Sequence, residues 1–249
     1  MNKSIAIVVP CFNEELRLPR EYWKSLVSVE SNIHWLFVDD GSSDGTTKVL
    51  KEICDGTLAQ ILKLSANQGK GNAIREGFIK VIAQDLEINF IGYLDSDGAF
   101  SINDVMRLAK MANESSFDAI ISSRVSLSGR LINRKSSRHY LGRLIATYLT
   151  RNWEDAPYDT QSGYKLFANT ESFRESIKVE FSTKWFVDVE LITRIGVSNK
   201  GLLNLWEEPL LSWKDVDGSK LKARKICALV VEIVFARRQV LKLLMERAG

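Results

Sequence analysis

Four aspartates stand where two apolar runs of the chain end, and carboxylates at such positions can bind a metal ion. The first run ends in Asp39 and Asp40, and the second ends in Asp95, with Asp97 two residues later. An apolar run that stops in acids and glycine is typical of a buried strand followed by a loop. Mg²⁺ or Mn²⁺ binds one or two carboxylates together with substrate phosphates. The pattern therefore predicts a site for a phosphate-bearing ligand at the carboxyl ends of these strands.

The two acidic pairs are expected to differ in role. Asp95 and Asp97 point to the same side of an extended chain, which favours a metal and diphosphate site over a solvated turn. Asp40 could accept hydrogen bonds from a base or a ribose. Asp44 and Thr46 are expected to cap the helix that follows.

Basic residues near these strand ends could bind phosphate. Lys70 lies between two glycines at a predicted helix start, where a solvated lysine is an equally good interpretation. Arg124 opens a basic tract that also contains Arg134 and Arg138. Arginine can bind phosphate through two parallel hydrogen bonds. The tract therefore favours a phosphate partner over a merely solvated surface.

Composition excludes several classes of function. The 249 residues are 45% hydrophobic and 26% charged, which is typical of a globular α/β protein. A net charge of +3 predicts no nucleic-acid partner. Three cysteines and two histidines, without a C-x-x-C pair, give little support to a zinc site, a disulfide framework or a histidine triad. Glu14 and Glu15 follow the first strand, where they would repel the pyrophosphate of NAD or FAD.

The order of elements predicts a mostly parallel sheet. Five strands alternate with helices in the first half of the chain, and this alternation implies right-handed crossovers. The strands are expected at 4–9, 34–39, 59–64, 90–94 and 117–121, with a first helix over 14–30 broken at its start by Pro19. The second half predicts helices at 137–151 and 185–195, strands at 164–168 and 203–213, and a long helix from 220 to 247.

Several motifs, in order, resemble glycosyltransferase family 2. Those shared by the broad family are residues 8–14, 38–46, 67–71 and 95–99. Narrower motifs are residues 123–124, 159–167, 186–191 and 213–220, and they resemble the dolichyl-phosphate glucose and mannose synthases, with the glucosyl branch the closer match. The resemblance runs from about residue 5 to residue 220.

The resemblance implies an α/β GT-A fold, with a Rossmann-like, mostly parallel sheet flanked by helices and a C-terminal helix. It implies a GT-A domain over residues 1–220, and residues 221–249 read as a basic amphipathic helix. The implied reaction is a single inverting displacement that uses Mg²⁺ or Mn²⁺. It would move a hexose from a nucleotide sugar of the UDP-glucose or GDP-mannose type to a polyprenyl or dolichyl phosphate.

Matched by motif, most of the site residues follow from the resemblance. The nucleotide sugar is expected to bind Pro10, Phe12, Glu14, Asp40, Lys70, Asp95, Ser96 and Asp97. The metal is expected at Asp95 and Asp97. The acceptor is expected to bind Arg124, Arg134, Arg138, Asp159, Gln161 and Ser162.

The acceptor decides whether a general base is needed. A phosphate acceptor is already anionic and needs cations to position it, which suits Arg124. A sugar hydroxyl, as in bacterial surface polysaccharide assembly, would need a carboxylate base. Asp188 is the first candidate, Glu190 the second and Asp159 the third, although each could instead be a surface acid or a loop cap. Arg124 and Asp188 are thus the expected catalytic residues.

Two further classes remain as alternatives. Residues 94–98 resemble the nucleophile motif of haloacid-dehalogenase-type phosphohydrolases. In that class the motif belongs on the first strand, whereas here it follows the fourth predicted strand. A non-catalytic module that binds sugar nucleotides is the other alternative, and the intact set of acids argues against it.

The C-terminal segment bears on location. No signal peptide and no run of about 18 apolar residues is present, so the cytoplasm is the expected compartment. The apolar stretch 226–235 has basic residues on both sides. Such a helix could lie peripherally at the cytoplasmic face of a membrane, pack on the core, or contact a second copy in a homo-oligomer. Packing is the commoner arrangement.

Overall fold

A seven-stranded sheet forms the centre of the protein. The structure is a computed structural model that describes residues 4–29, 32–84, 86–133, 136–153, 156–183, 186–214 and 226–248. The strands are β1 Ser4–Cys11, β2 Ile33–Asp39, β3 Gln60–Lys63, β4 Ile88–Leu94, β5 Ala119–Ser123, β6 Leu131–Asn133, β7 Tyr164–Ala168, β8 Leu205–Pro209 and β9 Ser212–Lys214. The helices are α1 Arg20–Val27, α2 Thr46–Cys54, α3 Lys70–Ile82, α4 Ile102–Glu114, α5 Ser136–Thr150, α6 Glu171–Ser176, α7 Val187–Ser198 and α8 Ile226–Ala248.

The sheet is parallel except at one strand, which confirms the predicted architecture. Its order is β3-β2-β1-β4-β7-β5-β8. β7 runs antiparallel to both β4 and β5, and the other neighbours in this sheet are parallel. The carboxyl ends of β1, β2, β4 and β5 therefore meet at one edge, and β7 begins there. A ligand site is expected at such an edge.

Helices cover both faces of the sheet because its central strands are apolar on both sides. Successive side chains of β1 point to opposite faces, so Ile7 and Val8 enter different cores. One core holds Phe78 of α3 with residues of α7 and α8. The other holds Trp23 of α1 with residues of α2 and α4. Helices packed on both faces of the sheet hold in place the strand ends that carry the predicted site.

Two predicted elements differ in extent from those observed, and β6 and α6 were not predicted. The expected helix over 14–30 is only α1, Arg20–Val27, because Pro19 directly precedes it and Pro fits only at the start of a helix. The expected strand over 203–213 is two strands in two sheets. Leu210 donates its N–H to the Ser123 carbonyl at the end of β5, and the chain then leaves the main sheet. β9 pairs with β6 instead.

Helix α8 packs on the protein through one face. Ala236, Val240 and Leu243 are fully buried, and the helix contacts α5 and α7. Val231 and Val234 on the outer face are exposed. None of the helices in the described ranges is long and apolar enough to span a bilayer. The division at residue 220 falls in the undescribed segment 215–225 and stays a prediction.

Candidate active site

One cavity of about 410 Å³ opens at the carboxyl ends of β1, β2 and β4. All eight side chains predicted to bind the nucleotide sugar line it: Pro10, Phe12, Glu14, Asp40, Lys70, Asp95, Ser96 and Asp97. Its remaining lining residues were not predicted: Cys11, Arg17, Asn67, Gly69 and Ala73. Cys11 and Gly69 directly adjoin predicted residues. The other three lie three residues from a predicted one, Arg17 from Glu14 and Asn67 and Ala73 from Lys70. The structure therefore brings the predicted donor residues together, whereas their individual roles stay predictions.

Asp40 organises the loop before α3. Its Oδ1 accepts the Gln68 N–H at 2.8 Å, and its Oδ2 accepts the Gly69 N–H and the Asn67 amide, both at 2.9 Å. Burial raises the pKa of Asp40, and the two backbone N–H groups oppose that rise. Asp40 thus holds the glycine-rich loop at the cavity, and its predicted contact with the nucleoside would come in addition to this.

The turn that carries Phe12 and Glu14 is held by the start of α2. Thr46 Oγ1 accepts the Glu14 N–H at 2.7 Å, and Asp44 accepts the Thr46 N–H at 3.0 Å. The N-cap of α2 is Gly45, which has no side-chain cap, so the predicted capping role of Asp44 and Thr46 is wrong. Asp44 instead accepts the N–H of the first helical residue, and Thr46 holds the turn. Glu14 Oε2 is buried and has no hydrogen-bond partner in the described part of the chain. Burial, together with nearby Asp97, raises the pKa of Glu14, while Arg17 opposes the rise.

Asp95, Asp97 and Lys70 form the charged wall of the cavity. Lys70 Nζ lies 2.5 Å from Asp95 Oδ1, and Asp97 accepts the Ala99 N–H at 3.1 Å. Burial raises the pKa of Asp97, and the Asp95 carboxylate raises it further. A cation would relieve this crowding of negative charge. The described residues contain no group of three protein ligands for a metal, so two carboxylates completed by substrate oxygens are the fitting arrangement.

A turn over residues 159–163 packs its backbone against Asp95. Asp95 donates its N–H to the Gly163 carbonyl at 2.9 Å. A Cβ atom added at Gly163 would overlap the Asp95 carboxylate. This position therefore requires glycine because of the close approach, and the turn fixes where Asp95 points.

Replacing Gly163 by alanine should displace Asp95 and weaken metal-dependent donor binding about tenfold, since a misplaced carboxylate loses its ligand geometry. Isothermal titration with UDP-glucose and Mn²⁺ measures the effect. Gly56→Ala is the control for a loss of stability alone, because a Cβ there meets open space and only the φ of +68° strains the backbone. Equal donor affinity in both variants would contradict the assigned role of the turn.

The predicted acceptor residues that the structure describes lie around the same turn. Arg124 forms a bidentate ion pair with Asp159, with Nε at 2.7 Å and Nη2 at 2.8 Å from the two oxygens. Its Nη2 also donates to the Gln161 carbonyl at 2.9 Å. The Arg124 guanidinium lies 5.2 Å from the centre of the Trp213 ring. The Asp159 carboxylate thus orients Arg124, which is a different task from that of a base.

The other acceptor predictions have mixed outcomes. Ser162 Oγ is buried and hydrogen-bonded to Ser122 Oγ at 2.6 Å, so its hydroxyl supports the turn. Gln161 Nε2 is buried and has no hydrogen-bond partner among the described residues. Arg134 and the side chain of Arg138 lie outside the part of the chain that the structure describes.

Asp188 lies in the first turn of α7, and Tyr93 and Lys165 contact its carboxylate. Tyr93 OH donates to its Oδ1, and Lys165 Nζ lies 2.6 Å from the same oxygen. Burial raises the pKa of Asp188 to about 7, while nearby Lys70 opposes the rise. Glu190 is fully buried and accepts from the Ser182–Thr183 backbone and from Arg194, which makes it structural. Asp188 is thus the one of the three base candidates whose geometry suits the role.

Lys165 was not singled out from the sequence. It is a lone charged residue within the apolar strand β7, and its side chain is fully buried. Lysine is almost never fully buried unless it is paired. That rule was the signal available from the sequence, although it could not identify the partner.

Comparisons with known proteins agree with this geometry. The family model "Glycosyl transferase family 2" matches residues 6–191. A dolichyl-phosphate beta-glucosyltransferase of Trichomonas vaginalis is 28% identical and covers 92% of this chain and 72% of its own length. That of Drosophila melanogaster is 30% identical and covers 88% of this chain and 69% of its own length.

A solved structure supports the fold. Glucosyl-3-phosphoglycerate synthase from Mycobacterium tuberculosis, solved with Mn²⁺, UDP and glucosyl-3-phosphoglycerate, has a TM-score of 0.65 and 17% identity. The match covers 98% of this chain and 80% of that one. The phosphohydrolase alternative finds no support, since Asp95 follows β4 in a fold of a different family. The chain belongs to glycosyltransferase family 2 and is a glycosyltransferase with a GT-A fold.

Proposed function

We propose that the protein transfers a hexose from a nucleotide sugar to a polyprenyl phosphate of the dolichyl type, with a divalent cation at Asp95 and Asp97. The observation that carries the donor half is the single cavity lined by all eight predicted donor residues. The acceptor half is supported by the relatives, several of which are named dolichyl-phosphate beta-glucosyltransferases. The same names favour UDP-glucose over GDP-mannose as the donor.

The donor would lie with its nucleoside against the β1 and β2 ends and its diphosphate against Asp95, Asp97 and Lys70. A bound Mg²⁺ or Mn²⁺ would neutralise the charge that develops on the leaving diphosphate. Lys70 would add a positive charge to the same oxygens, and its ion pair with Asp95 keeps it in reach. Asp95 and Asp97 would bind the cation on the side that faces the cavity.

The acceptor phosphate would be positioned by Arg124. Its guanidinium is oriented by Asp159 and by the Gln161 carbonyl, so little side-chain freedom is lost when the acceptor binds. An anionic phosphate oxygen can attack the anomeric carbon directly, on the face opposite the leaving diphosphate. Inversion at that carbon follows from a single displacement.

The test is a transfer assay with radiolabelled UDP-glucose or GDP-mannose, a short polyprenyl phosphate and Mn²⁺ or Mg²⁺. We expect label in the organic phase with UDP-glucose, and loss of that label when EDTA is added. If neither UDP-glucose nor GDP-mannose transfers label to the organic phase, the proposal is contradicted. Transfer that persists in EDTA would contradict its metal-dependent part alone.

A second candidate function is transfer to a glycan hydroxyl, and the geometry of Asp188 favours it. Its pKa of about 7 suits a general base near neutral pH. The base must be deprotonated, so the rate with a hydroxyl acceptor should rise with pH and level off above about 7. A pH profile with oligosaccharide and with polyprenyl phosphate separates the candidates, because an anionic phosphate needs no base.

The outer face of α8 supports peripheral membrane contact, where a lipid acceptor would reside. Val231, Val234, Leu241 and Met245 are exposed at helical spacing, with exposed Arg238 and Lys242 among them. An apolar stripe with basic residues suits an anionic lipid surface.

Substituting both Val231 and Val234 by aspartate should lower sedimentation with phosphatidylglycerol vesicles about tenfold. Two apolar side chains that would insert into the lipid are lost, and two negative charges are added. Activity with a detergent-solubilised short acceptor should be unchanged. Leu58→Asp is the control, since Leu58 is 95% exposed in a different part of the surface. Equal vesicle binding by the double variant and the wild type would exclude this face as the contact.

A further inference from the structure

Lys165 is a buried cation that the proposed reaction does not use. Its side chain is fully buried in β7 and lines no part of the donor cavity. Its Nζ contacts the Tyr93 hydroxyl at 3.0 Å, the Ser162 carbonyl, and Asp188 Oδ1 at 2.6 Å. Burying an ammonium costs desolvation free energy. Here three partners accept its three N–H groups and offset that cost.

Both contacts to Asp188 fall on one oxygen. Tyr93 OH and Lys165 Nζ converge on Oδ1. The Asp188 side chain keeps 14% of its surface exposed. Lys70 is close enough to this carboxylate to oppose the rise of its pKa.

The charges around this pair are dense. Lys70 is close enough to interact with both Asp95 and Asp188, and these two carboxylates raise its pKa against the effect of burial. Burial lowers the pKa of the Lys165 ammonium, and Lys70 lowers it further, whereas Asp159 raises it. Asp95, Asp97 and Asp188 thus stand near Lys70, and Arg17 adds a second positive charge beside Asp97.

We propose that Lys165 is a charge-compensating residue that lets the site accept an anionic acceptor. Its ammonium neutralises Asp188, a carboxylate that would otherwise repel the acceptor phosphate as it approaches the anomeric carbon. The inference rests on the proposed function, because it presumes a phosphate acceptor. Lys165 acts through Asp188 and touches neither substrate.

The proposal follows from where the acceptor must go. The sugar is attached to the diphosphate, which the proposed function puts against Lys70, Asp95 and Asp97. An attacking phosphate must come within a few ångströms of that sugar, and so into the field of Asp188. Like charges brought together in a partly buried site weaken binding strongly. A neutral acceptor would not experience this repulsion.

The test measures binding of farnesyl phosphate by isothermal titration, with UDP and Mn²⁺ present, at about pH 7.5, because burial lowers the pKa of the Lys165 ammonium and a higher pH would remove its proton. Lys165→Met should weaken binding about tenfold, because Asp188 loses its compensating charge. The double variant Lys165→Met with Asp188→Asn should return to within about threefold of the wild type, because the repelling charge is gone. Because Asp188→Asn also removes the buried charge that Lys165→Met leaves unpaired, urea unfolding is measured for both variants. Recovered stability without recovered affinity would contradict the proposal.

Asp188→Asn alone supplies a test that keeps the buried lysine in place. It leaves the Lys165 ammonium uncompensated, so farnesyl phosphate should bind a few fold more tightly than to the wild type. Arg194→Met is the matched control, since Arg194 pairs with Glu190 on the same helix α7 and contacts neither Asp188 nor the cavity. It should leave the affinity unchanged.

The outcomes separate the inference from the function on which it rests. Wild-type protein that binds UDP but no farnesyl phosphate would overturn the proposed acceptor, and the inference with it. Wild-type binding without rescue in the double variant, or weaker binding in Asp188→Asn, would overturn the inference alone. Rescue together with tighter binding in Asp188→Asn would support both.

Discussion

Asp97→Asn should abolish metal-dependent donor binding and lower kcat by roughly a hundredfold to a thousandfold. Asp97 lines the donor cavity, and its carboxylate is crowded by that of Asp95. The amide keeps the shape of the side chain but removes the charge that a divalent cation requires. Thermal-shift titration with UDP-glucose, with and without Mn²⁺, measures the binding, and the transfer assay measures kcat.

Asp44→Asn is the control for this substitution. Asp44 accepts the N–H of Thr46, the first residue of α2, and does not line the cavity. Its variant should lower stability slightly and keep the Mn²⁺-dependent part of the shift. If the Asp97 variant kept that part as well, the metal assignment would be wrong.

Arg124→Met should have two separable effects, a loss of about 3 kcal/mol of unfolding free energy and a large rise in KM for the acceptor. Arg124 and Asp159 are 13% and 6% exposed, so removing the cation leaves a nearly buried carboxylate without its bidentate partner. The second effect is expected because the guanidinium would bind the acceptor phosphate. Urea unfolding measures the first effect, and the transfer assay measures the second.

Two further variants distinguish these effects. Arg124→Met combined with Asp159→Leu should recover most of the lost stability, because no uncompensated charge stays buried, but should not recover the acceptor KM. Arg107→Met breaks a comparable pair with Asp104 and Glu208 away from the cavity. It should lower stability and leave the KM unchanged. A normal acceptor KM in the Arg124 variants would exclude Arg124 from the acceptor site.

The residues of the predicted donor site could be found from the sequence because each acid stands beside a recognisable strand end. Asp40, Asp95 and Asp97 stand directly at the ends of apolar strands, and parallel strands bring their carboxyl ends to one edge. Pattern and fold class together therefore predict that these residues share a cavity. The remaining lining residues come from within three positions of predicted ones, at the end of β1, in the loops and in the first turn of α3.

The acceptor side was less predictable because its contacts join distant residues. Arg124 and Asp159 are 35 residues apart, and Tyr93 and Asp188 are 95 apart. From the sequence, Asp188, Glu190 and Asp159 were candidate bases in that order, without information on how their surroundings differ. Their partners make them different: Asp159 orients Arg124, Glu190 holds a loop, and Asp188 keeps part of its surface exposed.

The antiparallel strand β7 has a consequence for how such an enzyme can change over evolution. Donor residues lie before residue 98, whereas the turn before β7, Lys165 and Asp188 all come from the later segment. Because β7 runs antiparallel to its neighbours, it enters the sheet at the edge where β1, β2 and β4 end and brings later residues beside the cavity. Under the proposed function, acceptor preference would therefore change through the later segment while the donor residues stay the same. A chimera that swaps residues 119–198 between two family members would carry the acceptor specificity with it.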